Sequence, residues 1–198
     1  DQNFFLAVGF FKPHTPYVAP KKYFDMYDIK DIDVPQMNND FLNTIPEPAA
    51  ISLRHKGDGK GRQYDLEKTE AQEIKRAYYA TVTFLDAQVG RIIKKLKKTG
   101  LDKNTIIVFS SDHGYHLGEQ GHWQKQTLYE KTTRVPLIFS GPGIKKGTRS
   151  NSPVELVDMY PTLMDLTGIK TPEHVVGKSL VPIFNDSSHK IRNSALTR

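Results

Sequence analysis

Residues 67 to 99 place the tightest limit on the fold. Ile74, Tyr78, Val82, Leu85, Val89, Ile92 and Leu96 recur at spacings of three and four, an apolar stripe on a 3.6-residue period. Lys94, Lys95, Lys97 and Lys98 load the end of this stretch, where cations favour the helix dipole. Gly100 follows where a helix-terminating glycine belongs. The pattern predicts a helix over 67–99. After a short turn, Thr105-Ile106-Ile107-Val108-Phe109 is β-branched and apolar throughout and predicts a central strand. A long helix feeding a buried strand puts the chain in the α/β class.

The flanking segments fit that class. Phe4 to Phe10 is a short apolar run between turn signals, the pattern of a strand buried on both faces. Val135-Pro136-Leu137-Ile138-Phe139 predicts another strand, with the proline near its start. Residues 20–27 predict a short helix, and 126–132 a weak one. Ser152-Pro153-Val154-Glu155 has the composition of a helix start, with Ser as cap, Pro in the first turn and Glu completing a capping box. That helix is expected to run to Leu166, kink at Pro161 and stop at Gly168. Residues 177–184 read as loop and turn, and 190–197 as the start of a strand. Residues 28–66 show no sustained period and hold several prolines and glycines, the pattern of a long irregular insertion. Arg54, His55, Lys56, Lys60 and Arg62 cluster late in it.

Composition narrows the chemistry. The 198 residues suffice for one domain, or one domain with an appendage. There is no cysteine, which removes disulfides, cysteine-ligated zinc, iron–sulfur clusters and thiol catalysis from these residues. No run reaches the roughly 18 to 20 apolar residues of a membrane span, so no membrane partner is expected. Lys and Arg total 28 against 22 Asp and Glu, a net charge of +6. That balance favours anionic partners without choosing among them, or it is a solvated basic surface. The basic residues are dispersed and lack interleaved aromatic stacking positions, so no nucleic-acid partner is expected. The chain opens at Asp1 on a strand-like run and stops at Arg198 without a tail. The expectation is a piece of a longer chain, without a targeting segment among these residues.

Three stretches carry candidate chemistry. Asp112-His113-Gly114 leaves the end of the predicted central strand, where ligands bind in α/β sheets. Asp and His both ligate divalent cations, although two adjacent residues cannot complete a metal shell. Otherwise Asp112 caps the next turn and His113 packs locally. Lys12-Pro13-His14-Thr15-Pro16 holds a lysine and a histidine in a proline-stiffened turn. This is either a preorganised anion or proton donor or a plain surface turn. Lys125 ends a loop containing Tyr115, His116, Gly118, Gly121, His122 and the lone Trp123. The lysine is either a cation in a shaped loop or a solvated one, and the rings either line a pocket or pack the loop. Taken together, one Asp, two His and two Lys suit metal-assisted attack on an anionic ester, by sulfuryl or phosphoryl transfer. None of them is an obvious nucleophile.

Ser111-Asp112-His113-Gly114-Tyr115-His116-Leu117-Gly118-Glu119, Trp123-Gln124-Lys125 and Arg134-Val135-Pro136-Leu137 resemble the type I sulfatases. With Lys12-Pro13-His14 upstream, the resemblance is nearest to the iduronate-2-sulfatase and choline-sulfatase branches. Residues 154–163 and Gly177-Lys178-Ser179-Leu180 fit as well. The resemblance implies an alkaline-phosphatase-like α/β fold, a mixed sheet flanked by helices and here incomplete at both ends. Residues 1–189 would be part of the catalytic domain, and 190–198 the start of a C-terminal subdomain. It implies hydrolysis of a sulfuric ester in a sulfated carbohydrate or small molecule, with calcium as cofactor and a formylglycine nucleophile. Asp112 and His113 would ligate the metal, the second position being Asn in many sulfatases. His14 and Lys125 would be catalytic, contacting the sulfate or its leaving oxygen. Lys12, Tyr115, His116 and Trp123 would bind substrate. An exported or lysosomal location follows from the same resemblance. The family's Cys/Ser-x-Pro-x-Arg motif is not among these residues, so the chain alone is expected to turn nothing over. Its incomplete sheet would associate with a missing N-terminal segment or with itself. A phosphodiesterase or phosphonate hydrolase on the same scaffold, and a non-catalytic sulfated-glycan binder, are the alternatives.

Overall fold

The structure is a computed structural model that describes residues 2–35, 40–53 and 66–197. The chain folds as two compact units: Asp1–Thr99 with Tyr115–Thr127, and Gly100–Gly114 with Leu128–Arg198.

The first unit is built on one long helix. Short helices α1 (Lys21–Phe24), α2 (Phe41–Thr44) and α3 (Glu47–Leu53) precede α4 (Lys68–Lys98). The helix read over 67–99 is therefore present, and Gly100 ends it at φ 74°. Its best-packed face is not the predicted stripe, since Val82 and Ile92 remain exposed while Ala71, Ala80 and Thr81 are buried. Along α4 the segment 20–35 is held by polar side chains. Gln72 Nε2 donates to the carbonyls of Ile29 (3.2 Å) and Ile32 (2.8 Å). Lys75 Nζ donates to Asp33 O at 2.6 Å, and Arg76 Nη2 to Phe24 O at 3.1 Å. Tyr23 meets Phe84 and Tyr27 meets Tyr79, at ring separations of 5.3 and 5.6 Å. Ile32, Val34 and Ala71 form a buried cluster, joined by Tyr27, Leu66, Tyr79 and Trp123.

Two sequence expectations for this unit are corrected. Phe4 to Phe10 forms no strand; it is exposed coil, with Phe5 86% accessible. An apolar run becomes a strand only when a neighbour accepts its backbone hydrogen bonds, and no neighbour does so among the described residues. The insertion over 28–66 is not wholly irregular. Besides α2 and α3 it has a 3-10 turn at Ile29–Asp31, capped by the Asp28 carboxylate accepting from Lys30 N. Four- and seven-residue helices are too short to show a period. Arg54, His55, Lys56, Lys60 and Arg62 lie outside the described residues.

In the second unit, strands β1 (Ile107–Ser110) and β2 (Leu137–Ser140) pair antiparallel, with Val108 opposite Phe139 and Phe109 opposite Ile138. The predicted central strand thus has one partner among the described residues. A 3-10 turn at Leu101–Asn104 precedes β1, and α5 (Glu130–Thr133) lies between the strands. The helix expected from residue 152 starts later. Leu156–Asp158 is a 3-10 turn and α6 spans Met159–Leu166. The capping box pairs Glu155 with Asp158, not Ser152 with Glu155. Pro161 falls in the first turn of α6, where a missing N–H costs little, so no mid-helix kink arises. Residues 177–184 are not all loop, because Val181–Asn185 forms α7 with proline in its first turn and buries Leu180 and Ile183. The strand expected over 190–197 is absent. That segment is instead held by side chains: Arg192 reaches Glu155 and Asp158, and Leu196 N donates to Glu155 Oε1 at 2.8 Å. Gly177 allows a close approach, since a Cβ there would lie 2.1 Å from Val157 O.

Candidate active site

In the second unit, β1 delivers Ser111, Asp112 and His113 directly from its last residue. Asp112 Oδ1 accepts from His113 N at 3.0 Å, and the Ser111 hydroxyl lies 3.3 Å away. His113 Nδ1 sits 2.7 Å from Gly114 O. A carbonyl only accepts, so Nδ1 donates to it and Nε2 is the nitrogen left to face Asp112. That Nε2 lies 3.5 Å from Asp112 Oδ2. The pair is accessible, the Asp112 side chain being 84% exposed. Slight burial raises the Asp112 pKa, but His113 charge, two backbone N–H groups and the Ser111 hydroxyl outweigh it and hold the carboxyl below its ordinary value.

Gly114 fixes where this pair stands. Its N donates to Thr132 O at 2.8 Å, and a Cβ at residue 114 would fall 2.1 Å from Lys131 O. Glycine is required here by the approach of α5 rather than by a turn.

The Asp112–His113 pair suits a cation. An imidazole lone pair and a carboxylate oxygen that face each other at this distance repel unless a proton or a cation lies between them. Calcium takes six to eight mainly oxygen ligands at about 2.3–2.6 Å. One carboxylate and one imidazole fit two places of such a shell, and the Nδ1 hydrogen bond is the outer-shell contact that orients a ligating histidine. Among the described residues no group of three His, Asp or Glu side chains gathers at metal-binding distances.

In the first unit, Lys12 and His14 share one turn, closed by His14 N donating to Phe11 O at 3.0 Å. Both Lys12–Pro13 and Thr15–Pro16 are cis. His14 is exposed, and its Nδ1 lies 2.6 Å from Thr15 O, which leaves Nε2 for acid–base or anion chemistry. Lys12 Nζ donates to Pro16 O and lies 5.3 Å from the Phe11 ring centre. Its ammonium is turned onto its own turn and would have to leave those carbonyls to meet an anion.

The same unit holds residues 115–127 as a narrow loop with ladder-like bonds. His116 N donates to Gln124 O at 3.0 Å and Gly118 N to His122 O at 2.9 Å. The tip turns through Gln120 (φ 51°) and Gly121 (φ 73°), with Glu119 Oε2 accepting from Leu117 N at 2.7 Å. His116 and His122 are fully buried with ring centres 5.0 Å apart, and His116 Nε2 meets Thr127 Oγ1 at 2.9 Å. Burial, then the positive charge His116 would carry, pulls the His122 pKa down to about 4. Trp123 packs in the Ile32–Val34–Ala71 cluster, and a Cβ at Gly118 would lie 3.0 Å from its ring. Tyr115 OH donates to Trp123 O at 2.8 Å. Lys125 follows Gln124, at the base of this loop.

The structure therefore gathers Tyr115, His116 and Trp123 in one loop, Lys12 and His14 in one turn, and Asp112 with His113 at one strand end. Sequence reasoning missed Tyr17 and Tyr78 beside Tyr115. The ring centres of Tyr17 lie 5.6 Å from Tyr78 and 6.4 Å from Tyr115, both edge-on, and Tyr78 stacks on Tyr115 at 5.8 Å. The signal available was position, as Tyr17 comes straight after the Pro13–Pro16 turn and Tyr115 straight after Gly114.

Comparison with known proteins agrees with these motifs. The family model described as Sulfatase matches residues 1–169. A sulfatase of Formosa agariphila is 41% identical over 180 residues, covering 91% of this chain and 35% of that protein. A choline-sulfatase of Rhizobium meliloti is 37% identical over 191 residues, covering 91% and 35%. Human iduronate 2-sulfatase is 32% identical over 202 residues, covering 85% and 36%. Among solved structures, the phosphonate monoester hydrolase SpPMH from Silicibacter pomeroyi superposes with a TM-score of 0.79 at 32% identity, covering 91% of this chain and 37% of that one. The chain spans about a third of the length of the curated relatives it matches. The neighbours share the mixed helix–sheet fold of the alkaline-phosphatase-like enzymes. The chain belongs to the sulfatase family.

Proposed function

We propose that the protein carrying this chain hydrolyses sulfuric esters, releasing an alcohol and inorganic sulfate, and that its substrate is a sulfated carbohydrate. The observation that carries this reading is the Asp112–His113 pair, whose Oδ2 and Nε2 face each other at 3.5 Å at the end of β1. The substrate class rests on the relation to iduronate 2-sulfatase, which makes a 2-O-sulfated uronic acid the first compound to try. Export from the cytoplasm belongs to the same proposal. Among the described residues no helix is long and apolar enough to cross a membrane.

In this reading Asp112 and His113 would hold two places around a calcium ion, which would supply positive charge beside the sulfate. Lys125 binds the sulfate oxygens and stabilises charge that grows on them. Lys12 adds a second cation once it leaves Pro16 O. His14, protonated at Nε2, gives that proton to the ester oxygen as the S–O bond breaks, so the alcohol departs neutral. Tyr115, His116 and Trp123 shape the loop that presents Lys125. The nucleophile, a formylglycine in this reading, lies outside these residues, which have no cysteine.

The test is turnover of an aryl sulfate by the intact protein, with and without a calcium chelator. Lys125→Ala is expected to lower kcat/KM by about a hundredfold or more, the usual cost of removing one charge-stabilising donor. Turnover insensitive to both chelation and this substitution would sink the reading. The structural match to a phosphonate monoester hydrolase supports one alternative substrate. If a phenylphosphonate ester is cleaved with the higher kcat/KM, the sulfate reading yields to it.

A further inference from the structure

We propose that Tyr17 and Tyr78 are positioning residues: with Tyr115 they clamp the Lys12–Pro16 turn to the loop that ends in Lys125. The inference rests on the sulfate-site reading for its consequence, though not for its geometry. All three tyrosines belong to the first unit.

The connection runs ring to ring. Tyr17 follows Pro16 directly and stands three residues from His14. Its ring meets that of Tyr115 edge-on at 6.4 Å, and Tyr115 OH donates to Trp123 O at 2.8 Å. Trp123 lies two residues before Lys125, and the intervening Gln124 O accepts from His116 N. Tyr78 supplies the fixed surface. It stands on α4, a 31-residue helix, stacks on Tyr115 at 5.8 Å and meets Tyr17 edge-on at 5.6 Å. Edge-to-face and offset-stacked pairs are the favoured aromatic geometries. A segment holding an acid and a segment holding a cation are thus registered on one rigid element.

The trio is suited to holding rather than to proton transfer. Burial first, then the neighbouring phenols, push the Tyr17 hydroxyl far above its ordinary range, and burial pushes Tyr78 up as well. The three rings contribute contact rather than charge.

The clamp rests on the rings, and this decides the variants. Tyr17→Leu in the intact protein removes the ring contacts with Tyr78 and Tyr115. Amide exchange at His116 and Gly118 is expected to rise about fivefold, the effect of losing an aromatic pair, with exchange elsewhere and melting temperature unchanged. For an aryl sulfate, kcat is expected to fall by a similar factor at constant KM. Tyr17→Phe, which keeps the ring, should behave as the parent protein. Tyr78→Leu should reproduce the loss, while Tyr78→Phe, which keeps the stacked ring, should behave as the parent protein.

Unchanged exchange at 116 and 118, or a rise spread evenly over the chain, would overturn the clamp. So would a loss confined to KM. If the intact protein turns over no sulfate ester, the functional reading fails on its own. In that case the exchange measurement still decides: a rise confined to residues 115–125 supports the clamp and no rise refutes it.

Discussion

Arg192→Met is the most informative single perturbation of the second unit. Asp158 is fully buried. Its carboxylate accepts from Glu155 N at 2.8 Å, Lys178 N at 2.8 Å and Arg192 Nη2 at 2.7 Å. The Arg192 side chain is 12% exposed and also pairs with Glu155. Methionine keeps much of the length and removes the charge. A buried carboxylate that loses its counter-charge costs about 3–5 kcal/mol. The two backbone N–H bonds to Asp158 remain, so the lower end, about 3 kcal/mol, is expected. The contrast is the surface pair Lys21–Asp25, with side chains 85% and 51% exposed, where breaking the contact should cost less than about 1 kcal/mol. A protein of more than one unit need not unfold in one step, so the assay is amide exchange at Lys178, whose N–H donates to Asp158. A loss of about 3 kcal/mol speeds that exchange roughly a hundredfold if it opens through this unit. Asp158→Asn added to Arg192→Met should recover part of the loss, because the uncompensated charge disappears. A change below about threefold in Arg192→Met, or no recovery in the double variant, would refute the view that the ion pair is a buried and coupled one.

Three further outcomes are expected. Gly114→Ala drives a Cβ into Lys131 O at 2.1 Å, so it should destabilise the second unit by about 3 kcal/mol, read as a fall in melting temperature. Gly90→Ala, inside α4 with nothing within 4 Å, should instead stabilise by about 0.5–1 kcal/mol. For His122 the folded pKa lies near 4, below its ordinary 6.5. The unfolded loop therefore takes up the proton first. Loop stability is full above pH 6.5, falls as the pH drops toward 4 and falls no further below that, a loss of at most about 3 kcal/mol. Exchange at Gly118, which donates to His122 O, should accelerate over that window beyond the normal pH dependence. A flat protection profile between pH 7 and 4.5 would contradict the buried neutral imidazole.

What could be read from the sequence was what local physics decides. The α4 period, its lysine-rich end and Gly100 located a 31-residue helix to within a residue at each end. Thr105–Phe109 marked β1 because β-branched residues accumulate there, although pairing with β2 set its bounds two residues later at the start and one later at the end. Asp112 and His113 were visible as a pair because they interact with each other and with their immediate neighbours. The failures share a different cause. Ser152 and Glu155 have the local form of a capping box, yet Glu155 caps with Asp158 and both acids also serve Arg192, more than 30 residues away. No window of sequence shows that contact. Tyr17, Tyr78 and Tyr115 lie on three separate segments, and only tertiary folding brings them together. Phe4 to Phe10 has the composition of a strand's side chains, which says nothing of a partner for its backbone.

The grip of α4 on the preceding segment has a consequence for how this sequence can vary. Gln72, Lys75 and Arg76 hold Phe24, Ile29, Ile32 and Asp33 by their main-chain carbonyls. A carbonyl looks the same whichever residue carries it. Positions 24, 29 and 33 can therefore drift in identity while the grip survives, provided the chain keeps its path. A change at Gln72 or Arg76 releases contacts that no single substitution in the gripped segment can restore. Mutational tolerance should be lopsided across this contact, permissive on the strap and restrictive on the helix.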